Sequence, residues 1–338
     1  MRAIIVVMAA VALASAAQAR PADGRLIEGR PCPPQSESYD AWVAARLKDY
    51  EDEAALGRQA GVPQPPVDTY RKALITRAEY EAGLGRPAAC EKVFYGSDGL
   101  KVAAYIWRPA DMQPGRRLPA VVALRGGNRD FGKFGPDSQR RMAALTGAGF
   151  VVIGVQYRGA DGGEGQDEFG GADVHDVLNA IKLARSLPEV DPRNVFMWGR
   201  SRGGMMAYLA ARDGADVNAF VAESALADVL SEAERRPELP QRVWSQLMPD
   251  WNPAPEVAMR RRSPIEFADK VDLPPVLLLH GTADWRAHPD NTLQMASRLQ
   301  SRGRPYEVHV FANDTHALDL NWRERDRLVI DWFRRHMR

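Results

Sequence analysis

Cysteine is nearly missing from this 338-residue chain, which has only Cys32 and Cys90. There is no Cys-x-x-Cys pair and the six histidines are scattered, so no zinc-ligand set is expected and no metal or organic cofactor is called for. Net charge is nearly missing too: 45 basic residues face 44 acidic ones, for a formal charge of +1. With that balance, and arginines dispersed rather than massed into one tract, nothing points to nucleic acid or an anionic membrane. A membrane-spanning helix needs about 20 apolar residues, and the run Ala3 to Ala14 is too short for one. Internal repeats and low-complexity tracts are absent. What remains is ordinary for a soluble globular chain, with 45% hydrophobic and 26% charged residues.

The first 19 residues read as a secretory leader. Arg2 gives a positive start, Ala3 to Ala14 an apolar stretch, and Ala17-Gln18-Ala19 an A-x-A cleavage site before Arg20. An uncleaved anchor is the alternative. Export to a periplasm or the medium would allow Cys32 and Cys90 to form a disulfide joining the N-terminal segment to the main domain; two free thiols are the alternative.

Val195 to Trp198 is a short apolar run typical of a buried strand, and Met205 to Ala211 reads as a helix. Between them stands Gly199-Arg200-Ser201-Arg202-Gly203-Gly204, a G-x-S-x-G turn in the strand–turn–helix context of a nucleophile elbow. The expected fold is therefore α/β, an α/β-hydrolase: a mostly parallel, doubly wound sheet with helices on both faces. Residues 20–89 read as a short helical arm, with one helix from about Ser38 to Gln59 and a second starting near Asp68 and carrying Tyr70, Leu74, Ala78 and Glu81. Residues 90–338 read as the catalytic domain, opening with a hairpin around Gly96-Ser97-Asp98-Gly99. Residues 224–273 read as a helical flap whose Trp244 and Trp251 are expected to line the substrate pocket; a packing excursion is the alternative.

Serine needs a base, and the base needs an orienting acid, in the chain order Ser, acid, His. His175 precedes Ser201, His280 and His309 lie in strand patterns, His288 is too close to the acid, and His336 ends the last helix. His316, in the polar loop Asn313-Asp314-Thr315-His316, is the candidate base. Asp284, one short loop beyond the strand Val276 to Leu279, is the candidate acid, with Glu223 as competitor. The oxyanion hole is expected from the N–H of Arg202 and the N–H of Gly127 in Leu124-Arg125-Gly126-Gly127, unless the two glycines only make a turn.

Several stretches, in this order and spacing, resemble the catalytic domain of the prolyl oligopeptidase family: Gln156-Tyr157-Arg158-Gly159, Gly171-Ala172-Asp173-Val174-His175-Asp176-Val177, the elbow, Ser263-Pro264-Ile265, Leu279-His280-Gly281-Thr282-Ala283-Asp284 and the His316 loop. The resemblance covers about Cys90 to Arg338 and implies Ser201 as nucleophile, Asp284 as acid and His316 as base. The segment before Cys90 is too short and too helical for the propeller such peptidases carry. Arg125 stands where the family has His or Tyr, and is expected to meet a substrate carboxylate. The expected substrate is a short peptide or a small ester. A carboxylesterase is the alternative, and a non-catalytic envelope binding protein a more distant one.

Overall fold

The computed structural model describes residues 20–33, 37–81, 89–135 and 138–338; the expected leader, residues 1–19, lies outside them. The chain forms a nine-stranded sheet in the order β1-β2-β3-β5-β4-β6-β7-β8-β9. β2 (Ala89–Ser97) and β3 (Leu100–Arg108) make the expected hairpin. Their two-residue turn, Asp98-Gly99, has φ of 53° and 77°, as a tight hairpin turn requires. β4 (Leu118–Leu124), β5 (Val151–Val155), β6 (Val190–Arg200), β7 (Phe220–Glu223), β8 (Val276–Gly281) and β9 (Tyr306–Phe311) are parallel throughout. β5 and β8 are buried along their whole length, and so read as unbroken apolar runs rather than alternating ones.

β1 (Leu26–Pro31) was not expected. It lies inside the segment read as purely helical, and pairs antiparallel with β2, Gly29 opposite Val93. The sheet therefore begins in the arm and not at residue 90. All six residues of β1 are exposed, so the strand is held by backbone hydrogen bonds and leaves no apolar alternation to read. Just beyond it, Cys32 is disulfide-bonded to Cys90, with the Cα atoms 5.3 Å apart.

α1 (Tyr39–Gln59) starts where predicted, with the Ser38 hydroxyl accepting from the Ala41 N–H at 3.2 Å. The second predicted helix is instead two, α2 (Val67–Ala73) and α3 (Arg77–Glu81), because Leu74 turns to ψ 155°. Asp68 lies in the first turn of α2 without capping it. A capping box starts α3: the Thr76 N–H donates to the Glu79 carboxylate at 2.7 Å, and the Glu79 N–H to the Thr76 hydroxyl at 3.2 Å.

Helices cover both faces of the sheet. α4 (Gln139–Gly147) is joined on one face by the C-terminal helix Trp322–Arg335, whose Phe333 packs with Phe150 and Phe196. α5 (Val174–Ser186) and α6 (Arg202–Arg212) pack Ala180 and Leu209 against Val122 and Met197 on the other. The flap holds α7 (Val229–Arg235), a π-helical turn (Pro240–Trp244), α8 (Ser245–Leu247) and α9 (Pro255–Arg261). α10 (Asp290–Ser301) follows β8, and the C-terminal helix is α11. Among the described residues no helix is long and apolar enough to cross a membrane.

The register aligns the carboxyl ends of the parallel strands: Leu124 pairs with Gly199, Arg200 with Glu223, and Glu223 with Leu279. Loops leaving one such edge gather over the middle of the sheet, which is where this fold places its sites.

The disulfide closes a sequence separation of 58 residues. For a loop of that size the chain-entropy relation gives roughly 4 kcal/mol. Replacing both cysteines by serine should lower the unfolding free energy by about that much, measured by urea titration. Wild type with dithiothreitol should match the variant; equal midpoints for all three would show that the staple does not constrain the unfolded chain.

Candidate active site

β6 ends in the elbow. Ser201 has φ 59° and ψ −126°, a conformation disfavoured for a residue with a side chain. Only glycine permits the neighbouring approach: a Cβ on Gly199 would lie 2.1 Å from the Gly203 carbonyl oxygen, and one on Gly203 2.0 Å from that of Leu124. The Ser201 N–H donates to the Glu223 carbonyl at 2.9 Å, tying the turn to the end of β7. Arg202 opens α6, so its own N–H belongs to the first helical turn, where no intrahelical acceptor exists.

The loop after β4 lies against the elbow. A Cβ on Gly126 would stand 3.1 Å from Ser201 Cβ and 3.6 Å from its Oγ. Arg125 does not face a substrate carboxylate. It is buried, and its guanidinium donates to the carbonyls of Gln156 (2.9 Å), Gly126 (3.1 Å), Phe131 (3.0 Å) and Arg129 (2.5 Å). A guanidinium has five N–H groups, so little donor capacity is left for a ligand. Burial, with the Arg202 charge nearby, pushes the Arg125 group down to about 10. By holding the Gly126 carbonyl, Arg125 orients the planar Gly126–Gly127 peptide, whose N–H, that of Gly127, points the opposite way. Gly127 itself has φ 69°.

Arg202 contributes more than its backbone. Its buried guanidinium donates to Gly127 O at 3.1 Å and Asp167 Oδ2 at 2.7 Å, and pairs with Asp173. The ring centroids of Tyr157 and Phe169 lie 4.9 and 4.7 Å from its Cζ. Sequence reading missed this side chain and both aspartates. Asp167 lies in the Gly-rich stretch after β5 and Asp173 in the Gly-Ala-Asp motif, and a buried arginine needs such partners. The rest of those motifs is also structural: Arg158 is bound by Asp176, which further accepts the Ser97 hydroxyl at 2.6 Å.

The loops after β8 and β9 meet closely. A Cβ on Gly281 would be 2.2 Å from the Asp314 carbonyl oxygen, and the Ala283 N–H donates to that oxygen at 2.8 Å. Asp314 is buried and shapes its own loop by accepting N–H bonds from Thr315, Leu320 and Asn321. This brings His316 Nδ1 to 2.7 Å from Asp284 Oδ2. Asp284 is fully engaged: Oδ1 accepts from the N–H groups of Arg286 (2.8 Å) and Ala287 (3.0 Å), and His280 Nε2 lies 3.0 Å from Oδ2. His280 Nε2 also faces the Ala287 carbonyl at 2.9 Å, so we assign its hydrogen to Nε2, leaving Nδ1 to accept the Thr292 hydroxyl at 2.7 Å. Burial pushes the Asp284 carboxyl up. The His316 charge and the bonds from His280 and His316 outweigh it, holding the group well below the usual carboxylate range.

The other expected contacts are placed differently. Glu223, the competing acid, is buried and accepts the Trp198 indole N–H at 2.8 Å. Trp244 is completely buried, 5.8 Å from Phe169, so it belongs to the interior and does not face a substrate. Trp251 is half-buried and packs on the same core. The flap reaches the site through polar groups instead: Arg129 donates to Gln246 at 2.9 Å, and Arg236 to the Arg286 carbonyl at 3.0 Å. A cavity of about 490 Å³ lies between the arm and the domain, bordered by Tyr70, Arg200, Asp319 and Trp322.

This strand order, with a serine on the turn leaving β6, defines the α/β-hydrolase class. Within it, the prolyl oligopeptidase family profile matches residues 136–338, and the chain belongs to that family of serine peptidases. It is 30% identical over 225 residues to the uncharacterised peptidase YtmA of Bacillus subtilis, covering 66% of this chain and 84% of that one. Dipeptidyl-peptidase 5 of Porphyromonas gingivalis is 26% identical over 269 residues, 74% of this chain and 39% of the relative. The solved acylaminoacyl peptidase of Pyrococcus horikoshii superposes with a TM-score of 0.63 at 20% identity, over 78% of this chain and 44% of that one. The chain thus spans less than half the length of the last two.

Asp284 also sets a pH dependence. A carboxyl held below its ordinary value of 3.8 stabilises the fold above that value, and the contribution fades as pH falls below it. The melting-temperature advantage of wild type over Asp284→Asn should therefore persist at about pH 5 and shrink below about pH 4. A gap that stays constant down to pH 3 would contradict the depressed ionisation.

Proposed function

We propose that this protein is an exported serine peptidase of short substrates, working through Ser201, His316 and Asp284. The observation that carries this reading is the 2.7 Å contact between His316 and Asp284 on two loops packed together at the edge where Ser201 emerges. With Nδ1 committed to Asp284, His316 has Nε2 left to take the Ser201 proton. The Ser201 oxygen then attacks the substrate carbonyl, and its electron pair moves to the carbonyl oxygen. The N–H groups of Arg202 and Gly127 receive that oxyanion. Collapse expels the amine, which takes the proton from His316 and leaves an acyl-enzyme. Water, deprotonated by His316, then releases the acid and restores Ser201. The Ala17-Gln18-Ala19 pattern and the Cys32–Cys90 disulfide support export, since such bonds persist in oxidising compartments.

The dipeptidyl and acylaminoacyl peptidases among the relatives favour an amide over an ester as the scissile bond. Aminoacyl, dipeptidyl and acylaminoacyl nitroanilides should be hydrolysed, and Ser201→Ala should lose about 10³-fold or more of kcat. Turnover confined to short-acyl nitrophenyl esters would reassign the protein to the carboxylesterases, and activity surviving in Ser201→Ala would end the mechanism. Arg125→Met should lower kcat about 10²-fold with little change in KM, because it frees the peptide that carries one oxyanion donor. A pure KM effect would place Arg125 at the substrate instead.

A further inference from the structure

The N-terminal arm reaches the loop that bears the acid at two points, one on each side of Asp284. Before it, Gln64 Nε2 donates to the Ala283 carbonyl at 2.9 Å, across a sequence separation of 219 residues. That carbonyl belongs to the peptide unit leading into Asp284, and the N–H of the same Ala283 is already bonded to Asp314. The peptides around Ala283 are thus held by the arm on one side and by the His316 loop on the other. Beyond Asp284, the Arg286 guanidinium forms a two-pronged pair with the Glu53 carboxylate of α1, one prong at 2.7 Å. The backbone N–H of Arg286 donates to Asp284 Oδ1 at 2.8 Å. Arg286 also lies over the Trp285 ring, at 4.8 Å, so the pair fixes the residue between acid and arginine as well.

The packing of the arm serves these two contacts. Leu47, Tyr50, Ala54 and Gly57 form the buried stripe of α1. Tyr50 and Tyr70 stack at 4.1 Å, and the Tyr50 hydroxyl donates to the Pro65 carbonyl at 2.6 Å, beside Gln64. Gly57 is the telling position. A Cβ there would sit 2.6 Å from the Cδ and Nε2 of Gln64 and 2.8 Å from its Cγ. Gly57 lies in the last turn of α1, and glycine in a helix costs up to about 0.5–1 kcal/mol relative to alanine. Here the missing side chain is the space in which the Gln64 amide lies on its way to Ala283.

We infer that Gln64 and Glu53 of the arm are positioning residues for the acid that orients His316, fixing the loop from Ala283 to Arg286 so that Asp284 is presented to it. The inference rests on the proposed triad. Neither residue touches substrate in this scheme; both act through the loop.

Gly57→Ala separates positioning from support, because alanine favours the helix while displacing the Gln64 amide. It should keep or raise the melting temperature and lower kcat about tenfold, with KM unchanged. Gln64→Ala should show the same kcat loss, and Glu53→Ala a comparable one that Glu53→Asp partly restores. Labelling by a fluorophosphonate, on full-length protein well below its melting temperature, should slow in parallel. Wild-type kcat in Gly57→Ala and Gln64→Ala, with wild type labelled normally, would overturn this inference alone. So would losses that vanish when each variant is assayed at the same interval below its own melting temperature. A wild type that the probe does not label would overturn the triad and this inference together.

Discussion

The Arg202 guanidinium is the contact on which the site's arrangement depends. An isolated charge in a protein interior costs several kcal/mol even after relaxation, and this one is buried on every side. It is tolerated because Asp167 and Asp173 converge on it and two aromatic rings flank it. The cost falls on one carboxylate: burial, together with neighbouring acids, lifts Asp173 to about 6, while at Asp167 burial is outweighed by the Arg202 charge and backbone hydrogen bonds, which hold it below its ordinary value. What the cluster gives in return is position. Arg202 stands one residue after Ser201 on the first turn of α6 and also holds the Gly127 carbonyl, so one side chain fixes the Ser201 turn relative to the Gly126–Gly127 loop. Arg125 holds that loop from its other side, and its guanidinium lies 5.3 Å from the same Tyr157 ring. Two cations and two carboxylates thus balance around Tyr157, whose own hydroxyl donates to the Arg125 carbonyl at 3.2 Å.

What could be read from the sequence follows from the kind of constraint involved. Steric constraints are visible in residue identity. Gly199, Gly203 and Gly281 each sit where a Cβ would collide with backbone, so glycine at those positions announces the close approach itself. Strand ends were legible because β4, β5 and β8, and the last part of β6 from Val195, are apolar runs that stop close to where the loops begin. That is why Asp284 and His316 could be selected by chain order and loop position. The partners of a charged side chain were not legible. Arg125 has the same letter whether it meets solvent, substrate or four carbonyls, and only the fold decides. Trp244 fails similarly, since an aromatic residue in a connecting segment suits a pocket wall and a core equally well. β1 escaped because its pairing uses the backbone alone. The division of the second arm helix was readable in Thr76-x-x-Glu79, whose capping box outweighs the helical periodicity that runs across it.

Three groups of the site are therefore held by three different means. Ser201 is fixed sterically, by turns that only glycine permits. The Gly126–Gly127 loop is fixed electrostatically, by guanidiniums sealed from solvent, where salt screens little. Asp284 and His316 are fixed by hydrogen bonds between loops, the softest of the three, since each such bond contributes only about 1 kcal/mol net, or about 1.5–3 where the Asp284 carboxylate accepts it. The softest element is also the one with most external support: Asp314 beneath it, His280 behind it and the arm beside it. The arm in turn is secured at places remote from the acid, among them β1 pairing with β2, the Cys32–Cys90 bond, and the Trp322 indole N–H donating to the Ala73 carbonyl at 2.8 Å. The last anchor lies on α11, directly after the His316 loop, so the arm reaches both the Asp284 loop and the helix that follows His316. A segment that packed only to cover apolar surface would need neither the amide of Gln64 nor the vacant side-chain space at Gly57. Their presence side by side, aimed at one peptide of the acid loop, is what a positioning strut requires.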